Sequence, residues 1–262
     1  MLLNKTQIIV ILSSICLFFI LWKGFDTKSK NIKELEKSRA LTIETTGIEN
    51  LIAAASKQVP QDQLIMLDAL AEELKKIGDD SSKVNILKKI SAKWYEQGQA
   101  AISGHYAEQI AEKQKDEASW AIAGTTFVIC VKTATESKVK DFCTKRAISS
   151  FEKAISVNPE NVENRVNLAL CYIENPPADN PMAGILMLRE LNTKYPKDVT
   201  ILNQLGRLAL KTNQIPKAVE RLEQAIALDK DNKTTICLLA EAYAAAGKTE
   251  KAQIFGTKCS KK

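Results

Sequence analysis

Apolar residues recur every three to four positions through most of this chain, which is the spacing of one buried face of an α-helix. Between residues 61 and 77, for example, Leu64, Leu67, Leu70 and Leu74 fall on a single helical face. The chain has no Asn-Gly or Asp-Gly hairpin turn and no run of alternating β-branched residues, so strands are not indicated. The pattern predicts an all-α protein.

The first 25 residues differ from the rest because their apolar residues are continuous. Residues 6–22 carry no charge, and about 17 uncharged residues are at the short end of what crosses a bilayer as a helix. Trp22 and Lys23 close the run with an interfacial aromatic and a cation. We therefore predict an N-terminal transmembrane helix over residues 6–22 in an anchor of residues 1–25, and after it a juxtamembrane linker, residues 26–46.

A cleaved signal peptide is the alternative for this segment. Cleavage needs small residues after the apolar run, whereas the chain continues with Trp22, Lys23, Gly24 and Phe25, so we favour an uncleaved anchor. The side of the membrane is a separate question. More lysines lie after the span than before it, which favours a cytoplasmic body, but the N-terminal position resembles a bacterial signal anchor that exports the C-terminal part of its chain. We favour the periplasmic side and leave the cytoplasmic side open.

The formal net charge of +6 has the sign of a nucleic-acid-binding protein. Many of the lysines, however, lie in two tails, beside the hydrophobic segment and at the C-terminus. The chain has neither a basic stripe interleaved with aromatic residues nor a recognition motif. We expect no nucleic-acid partner.

Catalytic chemistry has little to build on in this sequence. His105 is the only histidine, and the ten glycines are scattered singly. Neither a histidine-based metal cluster or triad nor a phosphate-binding loop is therefore indicated. We predict that the protein is not an enzyme and that it uses no cofactor or metal.

A repeated motif is the most informative feature of the C-terminal half. Trp120 begins the pattern W-x2-A-G-x2-F, and Ala147 begins A-x3-F-x2-A, which Pro159 closes. Further along, Leu202 and Gly206 recur 34 residues later as Ile236 and Ala240. Small residues at the repeated positions would let two helices of a pair approach closely.

These motifs resemble those of the tetratricopeptide repeat (TPR) family over residues 117–262, and membrane anchoring would make this a protein of the bacterial anchored type. The resemblance implies a right-handed α-solenoid of helix-turn-helix pairs. Its four repeats are expected at about 117–161, 162–198, 199–232 and 233–262. Residues 47–116 are predicted to be a helical pre-repeat region, a degenerate repeat that caps the solenoid.

Two insertions depart from the family pattern. The first, between Phe127 and Ala147, contains apolar residues among lysines, so we expect it to lengthen the helices of its pair. The second, residues 174–181, is rich in proline and is expected to be a longer turn, with partner contact as an alternative role.

In TPR proteins the first helices of the pairs line a concave groove that accepts an extended peptide or a partner helix. The resemblance therefore implies other proteins or peptides as partners. It places in this groove Glu163, Asn167, Leu170, Asn203, Arg207, Cys237 and Glu241. Asn203 and Arg207 are one turn apart and are candidates to hold a peptide backbone or a carboxylate together; the alternative is that both are simply exposed polar residues.

The six cysteines lack metal-like or redox-motif spacing. Cys171 and Cys237 fall on packed helix faces, which favours buried free thiols. Pairing of Cys130 with Cys143, or of Cys237 with Cys259, is the alternative in an oxidising compartment.

The sequence thus predicts a membrane-anchored TPR scaffold or adaptor that mediates protein–protein interactions and assists the assembly or folding of envelope proteins. The alternative is a self-associating structural component of a membrane complex, for which a homo-oligomer is expected.

Overall fold

A computed structural model describes Asn4 and residues 47–260. Apart from Asn4, the predicted anchor, residues 1–25, and the predicted linker, residues 26–46, lie outside the described residues. The chain divides into two units between Asn50 and Leu51, and the architecture below concerns the second unit.

In the part of the chain that the structure describes, no helix is both long enough and apolar enough to cross a membrane.

Residues 47–260 form helices joined by short turns, without a strand. The helices are α1 (Ile48–Ala55), α2 (Gln61–Lys76), α3 (Asp80–Glu96), α4 (Ala100–Gln114), α5 (Glu117–Thr133), α6 (Ser137–Val157), α7 (Val162–Glu174), α8 (Ala183–Lys194), α9 (Val199–Lys211), α10 (Ile215–Leu228), α11 (Lys233–Ala245) and α12 (Thr249–Ser260). The prediction of an all-α fold is confirmed for these residues.

From α3 onward, the helices form five pairs, each an antiparallel hairpin such as α5–α6 or α9–α10. Each pair packs against the next. The first helices of consecutive pairs also contact each other at two junctions, α5 with α7 and α9 with α11. Helix α2 packs against α3 ahead of the first pair. This nearest-neighbour stacking is that of a TPR-like α-solenoid; the handedness of its superhelix stays a prediction.

The first helix of every pair begins with an aspartate or asparagine cap. These five residues are Asp79, Asp116, Asn161, Asp198 and Asn232. In each case the side-chain oxygen accepts a hydrogen bond from a backbone N–H in the first turn. Such a cap contributes about 1 kcal/mol to helix stability, so the start of every first helix is fixed locally.

Small residues let the two helices of a pair pack closely, as the sequence predicts. A Cβ atom added to Gly124 would lie 2.7 Å from the ring of Phe151, and one added to Gly206 would lie 2.7 Å from Leu222. Gly184 is tighter still, because its added Cβ would meet the backbone carbonyl of Ala169. Glycine at these positions therefore allows the fully buried Phe151 and Leu222 to fill the space between helices.

The first insertion lengthens the α5–α6 pair, as predicted. These two helices have 17 and 21 residues, whereas α9 and α10 have 13 and 14. The second insertion forms the turn between the end of α7 at Glu174 and the start of α8 at Ala183.

Two disulfides each close one helix pair. Cys130–Cys143 joins α5 to α6, and Cys237–Cys259 joins α11 to α12. The interpretation of Cys237 as a free thiol is therefore wrong, because α12 brings Cys259 within bonding distance. Cys171 is free and buried, and burial raises the pKa of its thiol to about 12.

Candidate partner-binding grooves

One groove lies between the first helices of two consecutive pairs. Its walls are α3 and α5, its floor is α4, and its volume is about 720 Å³. We call it the apolar groove. Its apolar and aromatic lining is Ala92, Tyr95, Ala107, Ile110, Ala118, Ile122 and Ile129. Its polar lining is Lys88, Ser91, Glu96, Ser103, Gln114, Asp116, Ser119 and Thr126.

Two large side chains in the apolar groove are in contact with water. Tyr95 on α3 is 50% exposed and Ile122 on α5 is 59% exposed. They lie on opposite walls, above a floor of small and aliphatic residues that includes Ala107 and Ile110. A ligand entering between them would remove apolar surface from water, which is the main favourable contribution to protein association.

A second groove continues from the first toward α7. It has a volume of about 340 Å³ and shares Ala118 and Ile122 with the apolar groove. Its remaining lining is mostly polar, so we call it the polar groove. The polar side chains are Glu117, Thr125, Asn161, Glu163, Asn164 and Asn167.

The wall of the polar groove is held in place by one carboxylate. Glu117, at the start of α5, accepts hydrogen bonds from the side-chain amides of Asn158 at 2.7 Å and Asn164 at 2.6 Å, and also from that of Asn161. Asn161 in turn caps α7 through its side-chain oxygen. The first turns of α5 and α7 are therefore tied together, and the groove between them is preorganised for a ligand.

The predicted groove residues of α7 differ in their surroundings. Asn167 and Glu163 line the polar groove, Asn167 half-buried and Glu163 exposed. Leu170 is half-buried and packs against the core cluster that contains Val166 and Leu188. Of these three, Asn167 and Glu163 are the ones that the structure brings to an open groove.

Asn203 and Arg207 on α9 have different environments, although they are one turn apart. Asn203 is buried, with 4% of its surface exposed. Its Nδ2 donates to Asn232 Oδ1 at 3.4 Å, and its Oδ1 accepts from the Thr235 hydroxyl at 2.9 Å. These bonds connect α9 to the cap of α11, whereas Arg207 is exposed. Their joint contact with a ligand stays a prediction. The Asn203 amide is already hydrogen-bonded to Asn232 and Thr235 of the next repeat.

On α11, Glu241 is exposed, and Cys237 is half-buried and bonded to Cys259. Neither is among the residues that define the apolar or the polar groove.

Sequence reasoning missed the residues that build these two grooves, namely Tyr95, Ile122 and Glu117. A signal for Ile122 was present, because it lies between Trp120 and Ala123 and faces away from the helix surface that those two residues bury. The role of Glu117 had no local signal, since its partners lie 41 to 47 residues further along the chain.

Among the residues described, no three or more His, Cys, Asp or Glu side chains are grouped so that they could hold a metal ion.

Stacked hairpins with open grooves between their first helices define the class of this protein as a helical-repeat protein. The family profile described as "Tetratricopeptide repeat" matches residues 199–232, the segment that holds α9 and α10. The matched segment is one of the four repeats expected from the sequence, and the resemblance to the TPR family is confirmed there. No curated protein matches the chain in sequence.

Solved structures with a similar fold share little sequence with the chain. PilW, titled a widely conserved type IV pilus biogenesis factor, is 18% identical with a TM-score of 0.47, covering 70% of this chain and 77% of its own. MamA 41-end from Desulfovibrio magneticus RS-1 is 17% identical with a TM-score of 0.45, covering 70% and 94%. The C-terminal part of a TPR repeat-containing protein from Cytophaga hutchinsonii is 13% identical with a TM-score of 0.47, covering 81% and 76%. Similarities of this size support no functional conclusion.

Proposed function

We propose that this TPR protein is a membrane-anchored scaffold or adaptor that binds other proteins through the apolar and polar grooves. The observation that carries the proposal is the apolar groove, which Tyr95 from α3 and Ile122 from α5 both line with half or more of their surface exposed. Exposed apolar patches in grooves are typical of interaction sites. The hydrogen bonds of Glu117 to the asparagine side chains support the same role, because they fix one wall of the polar groove before a partner binds.

The anchor in this proposal is the uncharged run of residues 6–22, and we place the repeats on the periplasmic side. Support for that side comes from the two disulfides, one in α5–α6 and one in α11–α12. Disulfides form and persist in oxidising compartments such as the periplasm and are rare in the cytosol. Partners on that side would be envelope proteins during their assembly or folding.

Affinity capture with the full-length chain tests the groove. Ile122→Asp places a charge in the apolar groove at an exposed position, so the fold is expected to survive while captured proteins are lost. Leu186→Asp is a matched control, because Leu186 on α8 is also half exposed, at 50%, and lines neither groove. Equal capture by the two variants and the unchanged chain would overturn the proposal.

The side of the membrane is tested with a reporter fused after Lys262. A phosphatase that needs its own disulfides is expected to be active, and a fluorescent protein that needs the cytoplasm is expected to be dark. The opposite pair of results would place the repeats in the cytoplasm.

Self-association is the second candidate function, and a different observation favours it. Helices α2 and α12, at the two ends of the stack, expose Ile65 (60%), Met66 (47%) and Ile254 (49%), whereas the terminal helices of a soluble solenoid usually present polar outer faces. Sedimentation of the full-length chain would then show an oligomer that Ile254→Asp dissociates. A monomer at all concentrations would exclude this function.

A further inference from the structure

We propose that the partner segment held by the two grooves is basic: a short peptide stretch in which apolar side chains lie next to a lysine or arginine. This inference rests on the proposed function, since it names the chemistry of the partner at the same site. It is argued from the continuity of the grooves, their charge and their length.

The two grooves can hold one ligand chain because they share Ala118 and Ile122. Along α5, the lining of the apolar groove reaches from Ala118 to Ile129, which corresponds to about 16 Å at 1.5 Å per residue. An extended peptide covers that distance with about five residues. A sixth or seventh residue would then reach the polar groove beside α7.

The charge of the polar groove selects the sign of that next residue. Glu117 and Glu163 line it, and no lysine or arginine does. The three side-chain amides that bind Glu117 are neutral, so they hold its carboxylate in place without cancelling its charge. Glu163 is exposed and forms no ion pair with any described residue. A cation from the partner would meet two carboxylates, and an anion would be repelled.

Asn167 adds a group that can recognise the peptide backbone. It lies one helical turn after Glu163 on the same wall of the polar groove, and its side chain is half-buried there. An amide offers both a donor and an acceptor. The backbone of a bound segment can therefore pair with Asn167 while its cationic side chain reaches Glu163.

The apolar groove specifies the rest of the segment. Its lining includes Ala92, Ala107, Ile110, Ala118, Ile122 and Ile129 beside polar residues such as Lys88, Glu96 and Gln114. Apolar ligand side chains would bury surface against the aliphatic part of this lining. Leucine, isoleucine, valine and phenylalanine are such side chains. The pattern expected of the partner is thus two or more apolar side chains and then a lysine or arginine.

The test uses the full-length chain in nanodiscs of zwitterionic lipid and fluorescence anisotropy with labelled peptides. The probe is a peptide of about ten residues built from leucine, lysine and glycine, long enough to span both grooves. One matched twin has glutamate in place of lysine, and a second has serine in place of leucine. Empty nanodiscs provide the blank.

We expect the leucine–lysine peptide to bind at least tenfold more tightly than either twin, and its affinity to fall as salt is raised. Glu163→Lys should weaken it about tenfold and reduce the preference over the glutamate twin. Glu220→Lys is the matched control, because Glu220 is an exposed carboxylate on α10, away from both grooves. Ile122→Ser should weaken both peptides.

Equal or tighter binding of the glutamate twin would overturn the inference, as would an unchanged affinity in Glu163→Lys or an absence of binding by every peptide. These results leave the proposed function to its own test. If the glutamate twin binds and Ile122→Ser weakens it, the grooves bind peptides of the other charge. If Ile122→Asp leaves protein capture unchanged, the proposed function itself fails.

Discussion

The pairs α9–α10 and α11–α12 are built on the same 34-residue pattern but are held together differently. In α9–α10, Leu222 is fully buried and packs directly against Gly206. The corresponding position in α11–α12, 34 residues later, is Gly256, where an added Cβ would meet no atom within 4 Å. A disulfide between Cys237 and Cys259 joins that last pair instead.

The difference teaches how a pair is held together when, among the described residues, it has a neighbouring pair on one side only. An inner pair is packed on both sides and gains stability from its own core and from both interfaces. Helix α12 has no buried residue and packs chiefly against α11. The Cys237–Cys259 disulfide therefore holds the helices of α11–α12 together, as buried Leu222 does in α9–α10.

The largest effect on this comparison is expected from Leu222→Ala. Loss of a fully buried leucine against Gly206 leaves a cavity and should lower the free energy of unfolding by about 3 kcal/mol. Leu228→Ala, at a position that is 46% exposed on the same helix, should change it by less than about 0.5 kcal/mol. Urea unfolding monitored by circular dichroism measures both; similar losses would show that α9–α10 does not depend on this packing.

Removal of the Cys237–Cys259 disulfide should destabilise α11–α12 by a free energy similar to or smaller than that lost in Leu222→Ala. The effect should be confined to that pair. The cysteines are 22 residues apart, and a disulfide that closes a loop of this size stabilises the folded state by roughly 3 kcal/mol. In Cys237→Ser/Cys259→Ser, amide hydrogen exchange should speed up in α12 while α9 and α10 keep their protection. The control is Cys130→Ser/Cys143→Ser, which should leave α12 unchanged. Uniform loss across the solenoid would contradict this difference between the pairs.

Tyr243 makes a smaller, pH-dependent contribution at the junction between the two pairs, from α11 to α10. Its hydroxyl donates to Glu223 Oε1 at 2.7 Å, so Tyr243→Phe should cost about 1 kcal/mol. Burial, with the bond to Glu223, raises the pKa of Tyr243 to about 12 from its ordinary 10.0. Because the folded state favours the neutral phenol, this stabilisation is complete below pH 10 and is lost as the pH rises through 12. The free energy of unfolding, measured from pH 9 to 12, should therefore fall more steeply for the unchanged chain than for Tyr243→Phe. Parallel curves would refute this role of the Tyr243 hydroxyl.

The smallest effect is a gain. Gly256→Ala should stabilise the last pair by about 0.5–1 kcal/mol, because alanine favours a helix over glycine and its Cβ meets open space. The same change at Gly206 should destabilise, since its Cβ would lie 2.7 Å from Leu222. A loss at both glycines would mean that the two pairs are packed alike, against the comparison. Thermal unfolding of both variants decides between these outcomes.

Much of the fold could be predicted because its signals are local or periodic. The apolar spacing of Leu64, Leu67, Leu70 and Leu74 predicts α2, and the repeated small residues predict where helices approach each other. Gly206 shows where the second signal works, because its missing Cβ leaves room for Leu222, whereas no atom packs within 4 Å of a Cβ added to Gly256. Cysteine pairing stayed open because the sequence alone does not state which helices are antiparallel neighbours.

The site was harder to predict, for physical reasons that Asn203 illustrates. Asparagine on a first helix is equally compatible with a ligand and with a neighbouring repeat, and here Thr235, 32 residues away, engages it. Exposure of Ile122 likewise depends on how far α3 stands from α5. Both facts are set by distances between helices, which a single sequence does not contain.

The caps at Asp79, Asp116, Asn161, Asp198 and Asn232 have a consequence for how this chain can change over generations. Each hairpin has its own N-terminal cap, so residues can be inserted into one hairpin without shifting where the next one begins. The α5–α6 pair, with helices of 17 and 21 residues, is longer than α9–α10, and the helix after it still begins at its own cap, Asn161. New binding surfaces can therefore be tried one hairpin at a time while the rest of the molecule keeps its register.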